Sequence, residues 1–491
     1  MLSVANRTSP SLQPSQGAEG LRTLPARTTR VSVRMASSVP ASALLTAPSP
    51  PSLPLIGSLL EFRGNPFQNM LDWRGRYGDL IGYRLGRRQF HMVSHPALAE
   101  EVLITRQNEF IKMYERDSPA GVALVLGQGL ATSRGELWKR QRRLMQPLFQ
   151  RSRLPSFVPE INAAAGRVAE RWSSLGRGAA VDVAHEMMRA TLEIITRTMF
   201  SVSVLDRVDA LSPALATVLR YSSEHLSNPF QLPLWLPTPA NRAFRNSLAL
   251  LDELIGTLIR ERRANGRRCD DLLDKLLHAV DTETGEAMDD RQIRDECLTI
   301  FIAGHETTAV ALSWCWHLLG ANREVRARLH AELDAVIGDR APTLEDLPSL
   351  PWTRAVLEET MRLLPPAIGV VRKTVADTQL GGYRIPGGTL VFVNIANIHR
   401  HPDFWEQPDH FRPERFLADS PAPGHRLAYM PFGAGPRVCL GNHFAMTEGA
   451  LLLAPLARQF RLDPVPGISV EPEIVLALRP KGGLRMRLER R

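Results

Sequence analysis

The sequence predicts a mainly helical fold with a smaller amount of β structure. Several long segments have helical patterns, one nearly continuous apolar segment (297–320) has the length of a buried helix, and two short segments read as the strands of a hairpin. The 491 residues, 44% of them hydrophobic, are enough to bury a large core. Length alone would allow two or three ordinary domains.

The first predicted elements form a β-hairpin. Its strands are 80–85 and 89–93, and residues 86–88 make the turn. Helices are predicted to follow at 96–108, 137–149, 154–175, 185–200 and 211–221. We interpret the glycine-rich segment 118–129 as a mobile lid and the proline-rich segment 229–237 as a packed loop.

The first fifty residues differ in composition from the rest of the chain. They are rich in Ser, Thr, Pro and Arg, and Glu19 is their one acidic residue. They contain no apolar run of about 20 residues, so we predict a disordered tail, residues 1–50, without a transmembrane anchor. The composition also fits an organelle transit peptide, and Met35 could be the true first residue. We expect a cytoplasmic protein, with organelle import through this segment as the alternative.

Charge and cysteine usage exclude several classes of protein. The net charge of +9 could indicate a nucleic-acid partner, but no basic cluster is interleaved with aromatic residues. We therefore expect no nucleic acid and a basic surface suited to an acidic electron carrier. The four cysteines have no CxxC spacing, which predicts neither a disulfide framework nor a zinc site and fits a reducing compartment.

The most informative segment places Cys439 in a glycine-rich turn, 432–441, directly before a predicted helix at 442–460. The glycines permit unusual backbone angles and close approaches. The N-terminal end of the helix should lower the pKa of the thiol and favour the thiolate, which binds metals. A single cysteine excludes the usual zinc and iron–sulfur sites. The alternative is a buried cysteine in a glycine-rich loop.

Within this turn, Phe432, Gly435, Arg437, Cys439 and Gly441 match, in order and spacing, the haem-binding loop of the cytochrome P-450 superfamily. The resemblance implies that Cys439 is the ligand of the iron of haem b. It also implies the cytochrome P-450 fold, a mainly α domain with a smaller β subdomain, covering residues 51–491. The chain resembles the soluble bacterial members of the superfamily.

A second motif interrupts the apolar segment 297–320 at Ala303-Gly-His-Glu-Thr-Thr308. Buried polar groups at this point favour a core helix over a transmembrane helix. The motif resembles the family's oxygen-activation motif. The resemblance implies that Gly304 permits local widening of the helix, that the Thr307 hydroxyl holds water and oxygen, and that Glu306 relays protons. The alternative is that the threonines bond back to the preceding helical turn.

Further residues resemble the family's haem-seating positions. Trp138 and Arg142 stand at i and i+4 on one predicted helix, Arg372 lies in a predicted strand, 370–373, and Arg437 precedes the cysteine. The resemblance implies that these arginines bind the haem propionates, which suits their charge and planar fork of donors.

A further group, Glu359, Arg362 and Arg415, matches the family's Glu-xx-Arg pair and the arginine that follows it. The resemblance implies a buried triad that serves folding and haem retention rather than chemistry.

The resemblance implies a haem-thiolate monooxygenase that inserts one atom of O2 into a lipophilic small molecule, by hydroxylation or epoxidation of a terpenoid, fatty acid or polyketide-like substrate. Electrons would come from NAD(P)H through a separate ferredoxin or flavoprotein reductase, because the chain leaves no room for a fused one. We expect a monomer. Substrate contacts are expected from 118–129, 229–237, Phe301, Ala303, 366–370 and 474–476.

Two alternatives stay open at this point. A haem-thiolate peroxygenase or hydroperoxide isomerase would keep the haem, but family members of that kind typically depart from the acid–threonine pair that this chain retains at Glu306 and Thr307. A non-catalytic haem sensor, or a basic interaction protein, would lack turnover, and the absence of an attached output domain argues against it.

Overall fold

The computed structural model describes residues 45–62, 64–114, 121–227, 232–266, 268–281, 283 and 285–491. The helices are α1 (Pro66–Tyr77), α2 (Pro96–Glu100), α3 (Ala123–Leu126), α4 (Gly135–Met145), α5 (Leu154–Ser173), α6 (Val183–Phe200), α7 (Val208–Ser227), α8 (Pro239–Asn265), α9 (Leu272–His278), α10 (Asp290–Ala321), α11 (Arg323–Val336), α12 (Pro351–Leu363), α13 (Ile395–Ile398) and α14 (Asn442–Gln459).

The β structure is divided into small sheets. The strands are β1 (Leu80–Leu85), β2 (Arg88–Val93), β3 (Phe110–Ile111), β4 (Ala180–Asp182), β5 (Gly369–Thr374), β6 (Thr378–Leu380), β7 (Tyr383–Ile385), β8 (Leu390–Asn394), β9 (Phe460–Pro464), β10 (Pro472–Ile474), β11 (Leu478–Pro480) and β12 (Arg485–Arg490). The largest sheet has the order β1-β2-β8-β5-β3, and only its β2–β8 pair is parallel. The others are β4-β12-β9 and the hairpins β6-β7 and β10-β11.

The helical core is built around α10, which is buried along most of its length. It packs closely on α6, because a Cβ at Gly304 would lie 2.4 Å from Cδ1 of Ile195. Side chains of α5, α6, α10 and α14 share one large hydrophobic cluster, in which the rings of Trp172 and Trp316 meet edge to face. A smaller cluster lies between the main sheet and α2.

Several predicted elements are confirmed. The hairpin is present, with β2 beginning one residue earlier than expected, and α5, α6 and α14 match their predicted bounds within two residues. The predicted 211–221 and 297–320 helices lie inside the longer α7 and α10.

Two predicted helices end early. The helix expected at 96–108 is α-helical only to Glu100 and continues as a π-helical turn, Glu101–Thr105. It stops where Arg106 leaves the helical region at φ −121°, with its guanidinium bonded to Glu101, Glu109 and Gln379 O. The helix expected at 137–149 tightens after Met145 into a 3₁₀ turn.

The N-terminal prediction can be followed only in part, because residues 1–44 lie outside the described residues. Residues 45–50, assigned to the tail, contact the domain: Leu45 bridges to Tyr383, Ala47 is buried, and Pro48 O accepts from Gly82 N at 2.8 Å. The boundary at 50/51 stays a prediction. Among the helices of the described residues, none is long and apolar enough to cross a membrane.

The two glycine- and proline-rich segments also fall partly outside the described residues. In 121–129 the chain forms α3 and a turn bonded to α10, so this part is docked, while the mobility of the predicted lid stays a prediction. In 232–237 the carbonyls of Pro233 and Leu236 accept from Asn241 Nδ2 at 2.8 and 2.9 Å, as expected of a packed loop. Trp235 in this segment is 75% exposed.

Candidate active site

The cysteine loop has the backbone that its glycines require. Gly433 and Gly435 both have φ +73°, and a Cβ at Gly435 would lie 2.1 Å from Leu103 O. The loop closes through a bond from Cys439 N to Phe432 O at 3.0 Å. No residue with a side chain could replace Gly435 without moving the loop away from the π-helical turn.

The electrostatics of Cys439 differ from the prediction. Burial in the protein interior is the largest effect and raises the pKa of the thiol above its ordinary value, although the Gly441 N–H and the Arg142 guanidinium lower it. The prediction of a lowered pKa was therefore wrong in direction, because desolvation outweighs the helix end and the cation. Although Cys439 lies in the protein interior, its side chain is exposed to an internal cavity.

The cavity, of about 360 Å³, lies between the cysteine loop and α10. Phe432, Arg437, Cys439 and Gly441 line it together with Gly304 and Thr307, so the two predicted motifs meet in one space. Its apolar lining includes Leu130, Ala131, Ile195, Ile300, Ala303, Ala311, Leu312, Pro366, Ala367 and Val370. Of the predicted substrate contacts, Ala303, Pro366, Ala367 and Val370 line it. The cavity lining does not include Phe301, 474–476, or the described parts of 118–129 and 229–237, and Phe301 is buried in the core instead.

On the α10 side, the polar centre differs from expectation in two respects. The Thr307 hydroxyl donates to Ala303 O at 2.7 Å, the bond to the preceding turn that was the alternative interpretation, although the side chain still lines the cavity. The described helix α10 is also regularly α-helical through Gly304, so the local widening that this glycine permits is not present in the structure. The missing side chain at Gly304 is explained by the close approach of Ile195.

Glu306 is buried and is not among the residues that line the cavity. Burial raises its pKa to about 7, while the positive charge of Arg479 acts in the opposite direction. Its Oε1 has no hydrogen-bond partner among the described residues. Arg479 is itself paired with Glu473 at 3.2 Å on the β10-β11 hairpin. The side chain therefore changes its protonation near neutral pH, as a proton relay needs.

A second buried acid, Glu448 of α14, was missed in the sequence. Burial raises its pKa to about 8, and the neighbouring Thr308 hydroxyl acts in the opposite direction. Neither carboxyl oxygen has a well-aligned hydrogen bond among the described residues. The carboxyl group is therefore mostly protonated at neutral pH. A sequence signal did exist, since Glu448 is an acid within the apolar stretch of a predicted helix.

Cations gather at one edge of the cavity. Lys112, Arg142, Arg372 and Arg437 are its only charged lining residues in the described part of the chain, and all are positive. The Arg437 guanidinium lies 4.3 Å from the centre of the Trp138 ring and donates to Ser133 O at 2.9 Å. Arg142 donates to Val438 O at 2.7 Å.

These cations repel one another. Burial lowers the pKa of Lys112 to about 7, helped by Arg372 and Arg437, and that of Arg437 to about 9, helped by Arg372 and Arg142. A ligand that places negative groups beside these four cations would neutralise them and relieve their repulsion. A haem, which has two propionates and an iron for Cys439, fits these residues. Lys112 was missed because an isolated lysine carries no sequence signal.

The predicted structural triad is confirmed. Arg362 donates to both oxygens of Glu359, at 2.6 and 2.8 Å, and both side chains are fully buried. Arg415 approaches Glu359 at 3.3 Å, and Arg412 N donates to the same carboxylate at 2.8 Å. Because Arg362 also donates to the carbonyl of His399, the triad fastens α12 to the segment that leads to the cysteine loop.

Among the described residues, Asp79, His95 and His401 form the one group whose His and acid ligand atoms lie within 4.8 Å of one another. Backbone N–H groups of Ala97 and Asp403 donate to Nδ1 of the two rings, at 3.1 and 3.2 Å. The proton of each neutral ring is therefore on Nε2, and His401 directs it to Asp79 at 3.2 Å. This favours a hydrogen-bonded cluster over a metal site.

Comparisons with known proteins agree with this geometry. The cytochrome P450 family model matches residues 47–485. Cyclooctat-9-en-7-ol 5-monooxygenase of Streptomyces melanosporofaciens is 35% identical over 427 residues, 87% of this chain and 91% of the relative. Pentalenene oxygenase of Streptomyces avermitilis is 34% identical over 447 residues, 90% and 97% of the two chains. The crystal structure of the cytochrome P450DA heme domain superposes with a TM-score of 0.82 at 30% identity, covering 91% of this chain and 98% of that one.

The chain therefore belongs to the cytochrome P450 family. It is a haem monooxygenase, which uses haem b and dioxygen, and the predicted fold of a mainly α domain with smaller β sheets is confirmed.

Proposed function

We propose that this monooxygenase hydroxylates or epoxidises an uncharged, terpene-like molecule, with electrons from a separate ferredoxin or flavoprotein reductase. The observation that carries the proposal is the composition of the cavity lining: among the described residues its only charged members are the four cations at the predicted propionate edge, and the side chains elsewhere are apolar apart from three threonines and Cys439. An enclosed apolar surface binds hydrocarbon skeletons and gains little from ionic ones. The relatives' names denote an alkenol and an alkene, which are both uncharged.

A fatty acid is the less favoured substrate. Its carboxylate would need a cation, and the four cations of the cavity lie together at the edge where the propionates would bind. An unpaired carboxylate in the apolar part of the cavity would be costly. A large polyketide-like substrate would likewise bring polar groups that the apolar wall cannot satisfy.

We assign the cofactor-binding roles as follows. Cys439 would hold the haem iron through its sulfur, with Phe432 and Gly441 beside it. Trp138, Arg142, Arg372, Arg437 and also Lys112 would hold the propionate edge. When bound, the haem supplies the activation of dioxygen for insertion into a C–H or C=C bond.

Protein groups supply the protons of the reaction. The Thr307 hydroxyl oxygen faces the cavity as an acceptor while its proton goes to Ala303 O, so it can orient a water molecule. Glu306, which precedes this threonine in the chain and has a pKa of about 7, can take protons up and pass them on. Glu448 is a second store of a proton on the far side of Thr308.

The electron donor would approach the outer side of the cysteine loop, where basic side chains are exposed. Arg151 is exposed beside the start of α14 and donates to His443 Nε2 at 3.3 Å, and Lys139 is 61% exposed on α4, where it pairs with Glu136 at 2.7 Å. An acidic ferredoxin, reduced by NAD(P)H through its reductase, is complementary to this surface. A monomeric state and a cytoplasmic location stay predictions.

The first experiment is the carbon monoxide difference spectrum of the reduced protein. The red-shifted Soret band of a thiolate-ligated haem is expected, and it should disappear in Cys439→Ala. Retention of that band in the variant would refute the assignment of the ligand. Thr307→Ala should uncouple NAD(P)H oxidation from product formation, whereas unchanged coupling would favour a different proton path or a peroxide-driven reaction.

Substrate class is tested separately with spectral shifts of the oxidised protein. Cyclic terpene alkenes and alcohols should displace the water ligand and give a type I shift, while palmitate and a macrolide should not. A stronger shift with palmitate than with every terpene would reject the substrate class and leave the monooxygenase assignment intact.

A further inference from the structure

The loop between α3 and α4 forms part of the cavity wall, since Leu130 and Ala131 both line the cavity. The loop is a compact turn, in which the Thr132 and Ser133 N–H groups both donate to Gly129 O at 2.9 Å. The Thr132 hydroxyl donates to Gly127 O at 2.8 Å. A turn closed in this way moves as a unit, so its position fixes where the Leu130 side chain enters the cavity.

Two successive acids of α10 hold this loop by its backbone. Gln128 N donates to Oδ2 of Asp295 at 2.8 Å, and Leu130 N donates to Oε2 of Glu296 at 2.9 Å. Both acids are buried. Arg294 adds a third link between α10 and the preceding helix α3, because its guanidinium donates both to Val125 O and to Asp295 Oδ1, each at 2.8 Å. Both Ile300 and Ala303 line the cavity on the same helix. Glu296 precedes Ile300 by one helical turn, and Asp295 precedes Ala303 by about two turns.

Two glycines of the loop also pack directly against α10. A Cβ at Gly127, where φ is +52°, would lie 2.2 Å from Asp295 Oδ2. A Cβ at Gly129 would lie 2.1 Å from the Thr299 hydroxyl oxygen and 2.7 Å from Asp295 O. Thr299 has little freedom to give way, because its hydroxyl donates to Asp295 O at 2.7 Å. The hydrogen bonds from Gln128 N and Leu130 N therefore hold the loop against α10, and the close contacts at Gly127 and Gly129 limit how near it can approach.

We propose that Asp295 and Glu296 are positioning residues that set the width of the substrate cavity, by fixing the loop 127–133 through its backbone N–H groups. They do not line the cavity themselves and act through Leu130 and Ala131. Removing an acceptor frees a buried N–H group, and the loop must then shift to find another partner. The inference rests on the haem-binding cavity and not on the identity of the substrate.

The test uses the holoenzyme and two azoles that ligate haem iron, imidazole and the bulkier 4-phenylimidazole. Glu296→Leu and Gly129→Ala should change the ratio of the two dissociation constants by about fivefold or more, since only the larger azole reaches the wall. Glu296→Gln keeps the acceptor for Leu130 N and should stay within about twofold of the wild-type ratio. Hydrogen exchange at the Gln128 and Leu130 amides should accelerate in Glu296→Leu and not in Glu296→Gln.

The matched control is Glu332→Leu, which removes the acceptor for the Trp352 and Thr353 N–H groups, at 2.7 and 2.8 Å, at the start of α12, where none of these three residues lines the cavity. It should lower thermal stability and leave the azole ratio unchanged. Unchanged ratios in both Glu296→Leu and Gly129→Ala, or in Gly129→Ala alone if Glu296→Leu does not fold, would overturn the proposal. An equal change in Glu332→Leu would do the same, because the ratio would then report stability alone.

Discussion

Replacing Glu306 by Gln should change the pH dependence of stability by an amount that the buried carboxyl group determines. The pKa of Glu306 is about 7 in the folded protein, against 4.5 in an unfolded chain. Between these values the folded protein keeps a proton that the unfolded chain has lost, so stability falls as pH rises through this window. The full cost, about 3.4 kcal/mol at 1.36 kcal/mol per pH unit, is present above about pH 7 and absent below about pH 4.5.

Glutamine carries no charge and should avoid this cost. With an unfolding entropy of roughly 0.9 kcal/mol per kelvin for a folded unit of about 450 residues, the Tm of Glu306→Gln relative to wild type should rise by about 3 °C between about pH 5 and pH 8.5. The comparison uses the change of the Tm difference with pH, because the buried amide shifts the Tm by an amount that does not depend on pH. Differential scanning calorimetry of the holoenzyme at each pH measures the Tm.

The control for this prediction is Glu406→Gln, whose side chain is 81% exposed. Its Tm difference from wild type should not vary with pH. If the Glu306→Gln difference were equally flat between pH 5 and 8.5, Glu306 would be ionised throughout, and the relay role based on its titration would have to be abandoned.

Three further predictions concern the rest of the site. Lys112→Met should lower the net number of protons taken up when haem enters the apoprotein at pH 8 by about one relative to wild type, because a dianionic rim would raise the pKa of Lys112 from about 7, while the proton released by the Cys439 thiol is common to both proteins; calorimetry in buffers of different ionisation enthalpy measures the difference. Glu359→Gln should cost about 3–5 kcal/mol and release haem at lower temperature, whereas the neighbouring Glu358→Gln should not; absorbance melting at the Soret band compares them. Glu448→Gln should remove a protonated carboxyl band from the infrared spectrum at pH 7, and a spectrum identical to wild type would show that Glu448 is ionised.

The motifs could be predicted from the sequence because each depends on residues close together in the chain. The cysteine loop, the Glu359–Arg362 pair and the Trp138–Arg142 pair are each defined within ten residues. The geometry then follows from local rules: glycine at positive φ, and side chains one helical turn apart on a common face.

The features that sequence reasoning missed depend on contacts between distant segments. The regular helix at Gly304 follows from Ile195, about 110 residues earlier in the chain, whose side chain takes the space of a Cβ. The raised pKa of Cys439 follows from the depth of the cavity, which no local pattern specifies. The basic residue Lys112 acquires its role only where β3 pairs with β5 and brings it beside Arg372.

One connected set of bonds joins the wall of the cavity to the cysteine loop. Asp295 holds the 127–133 loop, whose Ser133 carbonyl accepts from Arg437, two residues before Cys439. Gln141 of α4 links to the same loop by donating to Gln128 O at 2.6 Å. A displacement of the loop would therefore move both the substrate wall and a cation at the propionate edge. Variants at the acids of α10 that displace the loop should for this reason change haem retention together with the width of the cavity.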